Sequence, residues 1–222
     1  MTDAVDQDLI CAIATPPGQG GIGIVRLSGP GAKRVAEKIC ARGLVSRKAV
    51  YCEFKNAAER LDDGVALWFP APNSFTGEEV VELQGHGGPV VQQQILNALC
   101  SLGARLAKPG EFSERAFHNG KLDLAQAEAV ADLISSTSIA AARAAVNTLR
   151  GDFSSKVNDL IERITTLRVQ VEAAIDFPDE ELEILEQAGV VEALKAIAQA
   201  HLDIIESANQ GRLLSSGLQV AL

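Results

Sequence analysis

The stretch PNSFTGEEVVELQGHGG, residues 72–88, gathers three carboxylates (Glu78, Glu79, Glu82) and a histidine (His86) into a short span that ends in glycines. If EEVVELQG is a strand, alternation sets Glu78, Val80, Glu82 and Gln84 on one face and Glu79, Val81 and Leu83 on the other. Glu82 is then an acid in the middle of a strand otherwise built of apolar residues. A carboxylate held there can accept two parallel hydrogen bonds from an amidine-like pair of N–H groups, which makes it a candidate ligand anchor. The plainer alternative is a carboxylate facing water across an open sheet. Arg26 interrupts the apolar run IVRLSG in the same way, and Lys121 comes directly after Asn119 and Gly120. Either cation can serve a ligand, or can lie along the surface with its charge in water. His86 is a candidate general base, against the plainer reading of a loop histidine satisfied by backbone groups; His118 and His201 have weaker claims.

A second motif points to different chemistry and fails its test. GQGGIG, residues 18–23, matches the G-x-G-x-x-G pattern of dinucleotide-binding turns, which requires a helix to begin at the last glycine so that its N-terminus receives the pyrophosphate. Gly23 is succeeded instead by the strand-like IVRLSG, and helical spacing begins only in AKRVAEKICARG. These glycines are therefore expected to serve a tight turn or a close approach to the main chain. The sequence contains no Ser-His-Asp arrangement, no H-E-x-x-H and no G-x-x-x-x-G-K-[ST].

The elements that must position these residues fall into two parts. The first mixes strand-like runs (ICAIAT, GIGIVRLS, AVYCEF, GVALWFP, VVELQGH) with a helix from about Ala32 to Ala41 and another in VVQQQILNALCSLG, which Gly103 stops. LICAIATPP and IVRLSG, joined by PPGQGG, form a hairpin or a sharp strand connection. After Pro109 and Gly110 a short helix is expected from Ser113 to Phe117. From Lys121 onward glycine and proline become scarce and alanine abundant. LDLAQAEAVADLI is a helix, and apolar residues from Val146 to Ala174 recur at spacings of three and four, the stripe of a long helix that wants a partner. After the break at Pro178 a second helix, VVEALKAIAQAHLDIIESANQGRLL, can pack back against it. The closing residues GLQVAL begin an alternating strand with no sheet to join, so a further domain is expected to open there.

Composition narrows the classes. A chain of 222 residues can bury its cores without disulfides or metals. Cys11, Cys40, Cys52 and Cys100 are dispersed in apolar surroundings with no C-x-x-C pair, as expected of buried thiols in a reducing compartment; no zinc site is suggested. The N-terminus MTDAVDQDLI is acidic and polar, unlike a signal peptide, and no run approaches a membrane span, so a cytoplasmic location is expected. Of the formal net charge of -9, residues 1–120 carry -1 (12 Lys and Arg against 13 Asp and Glu) and residues 121–222 carry -8 (8 against 16). The acidic second part is a poor partner for a phosphate backbone.

Four long stretches in order, ATPPGQGGIGIVRLSG, NSFTGEEVVELQGHGGP, PGEFSERAFHNGKLDLAQAEAVADLI and VEAAIDFPDEE, resemble the N-terminal and helical regions of the tRNA modification GTPase family called MnmE or TrmE. The resemblance implies an α+β N-terminal domain, of the folate-binding kind seen in glycine-cleavage T-proteins, and after it an all-α helical domain. It implies domains at 1–118 (folate binding and dimerisation), 119–216 (the first part of the helical domain) and 217–222 (the first strand of an inserted GTPase domain). It further implies 5-formyltetrahydrofolate or methylene-tetrahydrofolate as cofactor, a homodimer, the flavoprotein MnmG as partner in a heterotetramer, and tRNA as substrate of the complex. The modification implied is an aminomethyl-type group at C5 of the wobble uridine. GTP, Mg²⁺ and K⁺ are expected only in the GTPase domain, whose phosphate-binding loop this sequence lacks, as it lacks the family's C-terminal Cys-x-Gly-Lys.

Family folate contacts carry over onto matching positions only: Arg26 in GIVRLSG, Glu82 in VVELQGHGG and Lys121 in HNGKLDLAQAE. All three also stand out on residue type and position alone, as charges in unusual places, and no catalytic or metal-binding residue is assigned. Two other functions compete. A one-carbon transferase of the T-protein type, acting on a small amine, would need an acid or base beside the folate, with His86 the best candidate. A structural adaptor would rest on the long helical stripe alone.

Overall fold

The computed structural model describes residues 8–176 and 189–216, and these divide into two compact units between Leu122 and Asp123.

In the first unit the described residues build a six-stranded sheet covered by helices. β1 (Ile10–Ile13) and β2 (Gly20–Ser28) form the expected antiparallel hairpin; β3 (Val50–Asn56), β4 (Glu59–Phe69), β5 (Val80–Gly87) and the two-residue β6 (Arg105–Leu106) complete the order β3-β4-β5-β2-β1-β6. Among these strand pairs only β1–β6 is parallel. α1 (Ala32–Cys40) and α2 (Pro89–Ser101) bury Val35, Ile39, Ile95 and Leu99 against Val25, Leu27, Val81 and Leu83 of the sheet. Val25 and Leu27 of β2 and Val81 and Leu83 of β5 enter this core, and alternation leaves Arg26, Glu82 and Gln84 on the opposite face. A third helix, α3 (Glu111–His118), closes the unit; it is longer than the expected Ser113–Phe117.

The glycines of GQGGIG lie in or beside β2, not at a helix start, so the dinucleotide reading has no structural basis. A bulge between Gly20 and Gly23 interrupts the pairing with β5. Gly87 opposite needs to be glycine, since a Cβ there would stand 2.6 Å from the Gly20 carbonyl oxygen and 2.7 Å from that of Ile22.

The first unit runs four residues beyond the expected end at 118. Asn119 donates its side-chain N–H to the Thr76 carbonyl at 2.7 Å, and the Lys121 backbone N–H returns to the Ala116 carbonyl at 2.8 Å. These bonds tie the segment after α3 to the sheet domain and place Lys121 in it.

The second unit is helical: α4 (Leu124–Ser135), α5 (Ile139–Leu149), α6 (Asp152–Asp176) and α7 (Val190–Ser216). α4 opens on a capping box, with Asp123 accepting from the Gln126 backbone and the Gln126 side chain accepting from the Asp123 N–H. The apolar stripe from Val146 to Ala174 does not run along one long helix. It is split between α5 and α6 at Gly151, whose φ of +90° is a left-handed conformation that halts the helix. Asp152, Phe153 and Lys156 line one cleft with Ser207, Ala208, Gln210 and Gly211, while Leu167 and Gln170 line another with Ala193 and Ile197, so α6 and α7 run antiparallel as expected. The break at Pro178 and the strand expected in GLQVAL lie outside the described residues. Among the described residues no helix is long and apolar enough to cross a membrane.

Candidate functional site

Arg26 and Glu82 occupy directly opposed positions in the antiparallel β2–β5 ladder. Their side chains meet on the face of the sheet turned away from α1 and α2: Nε and Nη2 of Arg26 both donate to Oε1 of Glu82, at 3.0 and 2.7 Å. Gln84, two residues on and therefore on the same face, donates to Oε2 of Glu82 at 3.2 Å. Glu82 retains 15% side-chain exposure and Arg26 28%, so neither is the freely hydrated surface charge of the plainer reading.

The loop between β4 and β5 runs from this pair to the third predicted residue, Lys121, which follows α3. Phe75 lies against the Arg26 guanidinium with its ring centroid 5.5 Å from Cζ, and Phe112, from α3, lies at 5.8 Å. The next residue of the loop, Thr76, bonds the Ser28 hydroxyl at 2.7 Å. Gly77 has a φ of +79°; a Cβ placed there would stand 3.1 Å from Cγ of Lys121, so the lysine stem lies along this glycine. Lys121 is exposed, and its ammonium has no ion pair among the described residues. The structure thus joins Arg26 and Glu82 directly and sets Lys121 at the other end of the Phe75-Thr76-Gly77 segment.

A buried ionic network fixes this segment from behind. The Arg115 guanidinium is 2% exposed and donates to Asp8 (2.6 Å), Glu111 (3.0 Å) and Glu78 (3.3 Å). Glu78 in turn accepts from Ser28 at 2.6 Å. Arg105 pairs with both Asp8 and Glu111. Arg105 is the main cause that holds the carboxyls of Asp8 and Glu111 down to about 2, against the opposing effect of burial and with help from Arg115. The Lys108 backbone N–H adds to the effect on Glu111. β2, the loop, α3 and the segment before β1 are therefore clamped together around Arg115.

Among the described residues the side chain of His86 pairs with a carboxylate, Asp62. Its ring Nδ1 lies 2.7 Å from Oδ1 of Asp62, while its backbone N–H donates to Oδ2 of the same carboxylate at 2.7 Å. Gly85 leaves the room that Asp62 occupies, because a Cβ would overlap its Oδ2. Asp62 raises the His86 pKa. Burial pushes the Asp62 carboxyl up, but the hydrogen bonds from His86 outweigh it and the net shift is downward. The pair is a satisfied carboxylate–imidazole contact that anchors the end of β5 to β4. His118 stacks loosely on Phe117, ring centroids 5.4 Å apart, and His201 is an exposed residue of α7. Cys11 and Cys100 have sulfurs 3.8 Å apart, and burial is the main cause that pushes the Cys11 thiol up to about 12, which leaves it inert. Among the described residues no group of three or more His, Cys, Asp or Glu could hold a metal.

Sequence reasoning does not single out Phe75, Phe112, Gln84 or the Arg115 network. Gln84 is within its reach, since it shares the alternation of Glu82. Phe75 and Phe112 carry no such mark: each is an aromatic in an irregular or short helical segment.

The first unit is thus an α+β domain with a paired acid and base on one sheet face, and the second unit is helical. Residues 9–121 match the family described as GTP-binding protein TrmE N-terminus, and residues 124–219 match the MnmE helical domain. The chain belongs to the MnmE family of tRNA modification GTPases. It is similar to the tRNA modification GTPase MnmE of a Marinomonas species (52% identical over 226 residues, 100% of this chain and 49% of that protein). It is also similar to those of Nitrosococcus oceani (53% over 216 residues, 97% and 47%) and Thiobacillus denitrificans (55% over 216 residues, 97% and 48%). The chain spans about half the length of the relatives it matches.

Proposed function

We propose that the first unit binds a reduced folate, 5-formyltetrahydrofolate or methylene-tetrahydrofolate, through Arg26, Glu82 and Lys121, and dimerises. The single observation that carries this reading is the directly opposed Arg26–Glu82 pair with Lys121 at the end of the same loop segment. The donor set suits the ligand. Glu82 is an acceptor for the amidine-like N–H edge of a pterin, and its Oε2 is engaged only by the 3.2 Å bond from Gln84 among the described residues. Lys121, whose ammonium has no ion pair among the described residues, suits a folate carbonyl or carboxylate. Arg26 holds Glu82 in place by donating two N–H groups to one of its oxygens. When bound, the folate supplies the one-carbon unit; this chain's residues hold and orient it.

In the whole protein we assign this unit to a tRNA-modifying GTPase that acts with the flavoprotein MnmG as a heterotetramer. The product is an aminomethyl-type group at C5 of the wobble uridine of tRNA. GTP, Mg²⁺ and K⁺ belong in this reading to the half of the relatives' length that the chain does not span. A T-protein-type transferase is the competing function, and the exposed His86 ring beside Asp62 is the feature that favours it. Equilibrium dialysis of the chain with 5-formyltetrahydrofolate, and then product analysis with small amines, decides between them. Binding without turnover is expected; turnover that His86→Ala removes would favour the transferase, and absence of binding would refute the folate reading.

A further inference from the structure

We propose that Phe75 is a ligand-binding residue: its ring is a flat wall beside the Arg26–Glu82 pair, built to stack on a planar heteroaromatic ring whose N–H edge is held by Glu82. This rests on the folate reading and adds the element that selects for a flat ring over any other amidine-bearing ligand.

Three observations lead to it. The chain has only nine aromatic residues, seven Phe with one Trp and one Tyr, yet two of them, Phe75 and Phe112, lie against one guanidinium at 5.5 and 5.8 Å. Phe112 is half-buried on α3, but Phe75 stays 37% exposed on the loop, a large apolar surface left in water beside a charge pair. Such a ring gains little from its loop position alone, while stacking on a flat partner would bury it. The loop is also rigidly held on both sides of this ring. Ser74 donates to the Glu78 carbonyl at 2.6 Å, Thr76 bonds Ser28, and Glu78 is tied to buried Arg115. A clamped loop that holds one aromatic side chain in the open fits a preformed recognition surface, because the ordering of the segment is completed before the ligand arrives.

The chemistry is complementary. A pterin offers a planar face for Phe75 and, along one edge, the donor pair that Glu82 accepts. The Arg26 guanidinium is itself planar, lies over the Phe75 ring at 5.5 Å and pairs with Glu82, so the three groups adjoin one another.

The test is a calorimetric titration of 5-formyltetrahydrofolate into the 222-residue chain and into Phe75→Leu, Phe75→Tyr and Phe75→Trp. Leucine keeps an apolar cover over Arg26 and removes only the flat face, so affinity should fall about tenfold, the scale of one ring-stacking contact. Tyrosine should bind within about twofold of wild type. In Phe75→Trp the ligand should quench the new indole emission beyond its effect on the wild-type chain, whose single indole is Trp68. If wild type binds and Phe75→Leu binds equally well, the stacking wall is overturned while the folate site stands. Should Phe75→Leu lose its fold, an unquenched indole in a folate-binding Phe75→Trp chain overturns it instead. A wild-type chain that takes up no folate refutes the folate reading and this wall with it.

Discussion

Arg26 and Glu82 are cross-strand partners: their Cα positions face each other in the β2–β5 ladder, and the guanidinium donates two N–H groups to one carboxylate oxygen. Two charges set in separate apolar runs, 56 residues apart, therefore neutralise each other across a single rung.

That pairing is measurable as a coupling. A double-mutant cycle of Arg26→Met and Glu82→Gln, read by chemical denaturation, should give an interaction of about 1 kcal/mol, the upper range for a partly exposed pair. Strictly additive single effects would mean the two side chains do not meet in solution.

The Arg115 network should contribute more. Arg115 is almost fully buried among Asp8, Glu78 and Glu111. Arg115→Met leaves those carboxylates without their central cation and should destabilise the first unit by about 3 kcal/mol. A loss under about 1 kcal/mol would show that water replaces the guanidinium almost as well.

The same network sets the acid limit. Asp8 and Glu111 are held to about 2, below the ordinary 3.8 and 4.5 of their side chains, chiefly by Arg105. Folded pKa values below the unfolded ones give stability that is fully present above pH 4.5 and is lost as pH falls towards 2. Denaturation midpoints measured across that window should drop, and Glu111→Gln should flatten the drop. An unchanged slope in the variant would mean that Glu111 has no share in it.

His86 and Asp62 shift in opposite senses, His86 upward and Asp62 downward. The histidine's share of stability is complete below its unfolded pKa and disappears as pH rises through the raised folded value; the aspartate's is complete above its unfolded pKa and disappears on acidification. The pair therefore helps most in the mildly acidic range. An NMR titration of His86 should give a pKa above the ordinary histidine value of 6.5, and Asp62→Asn should bring it down. No response to Asp62→Asn would contradict the contact.

Strand alternation sorts β2 and β5 into core and open faces, so Arg26 and Glu82 are legible in the sequence as charges where apolar residues dominate. Their mutual pairing is not legible, because it depends on β5 lying next to β2 at one register, a property of the whole sheet. Lys121 is visible as a cation after Asn119-Gly120, yet its place in the first unit depends on tertiary bonds back to Ala116 and Thr76. Gly151 is concealed by a stripe whose spacing of three and four continues across it. Arg115 sits in SERAFH, an ordinary helical stretch whose burial only the folded chain reveals.

The proposed folate-anchoring role of Glu82 is tested most directly by the affinity of 5-formyltetrahydrofolate for the wild-type chain set against Glu82→Gln and His201→Ala. Glutamine preserves size but removes the charge and one acceptor, so Glu82→Gln should lose on the order of 1.5–3 kcal/mol, the range for hydrogen bonds to charged groups. His201→Ala, on exposed α7, should bind as wild type does. Equal affinity in Glu82→Gln, with its fold intact, would contradict the assignment of Glu82 as the anchor of the site.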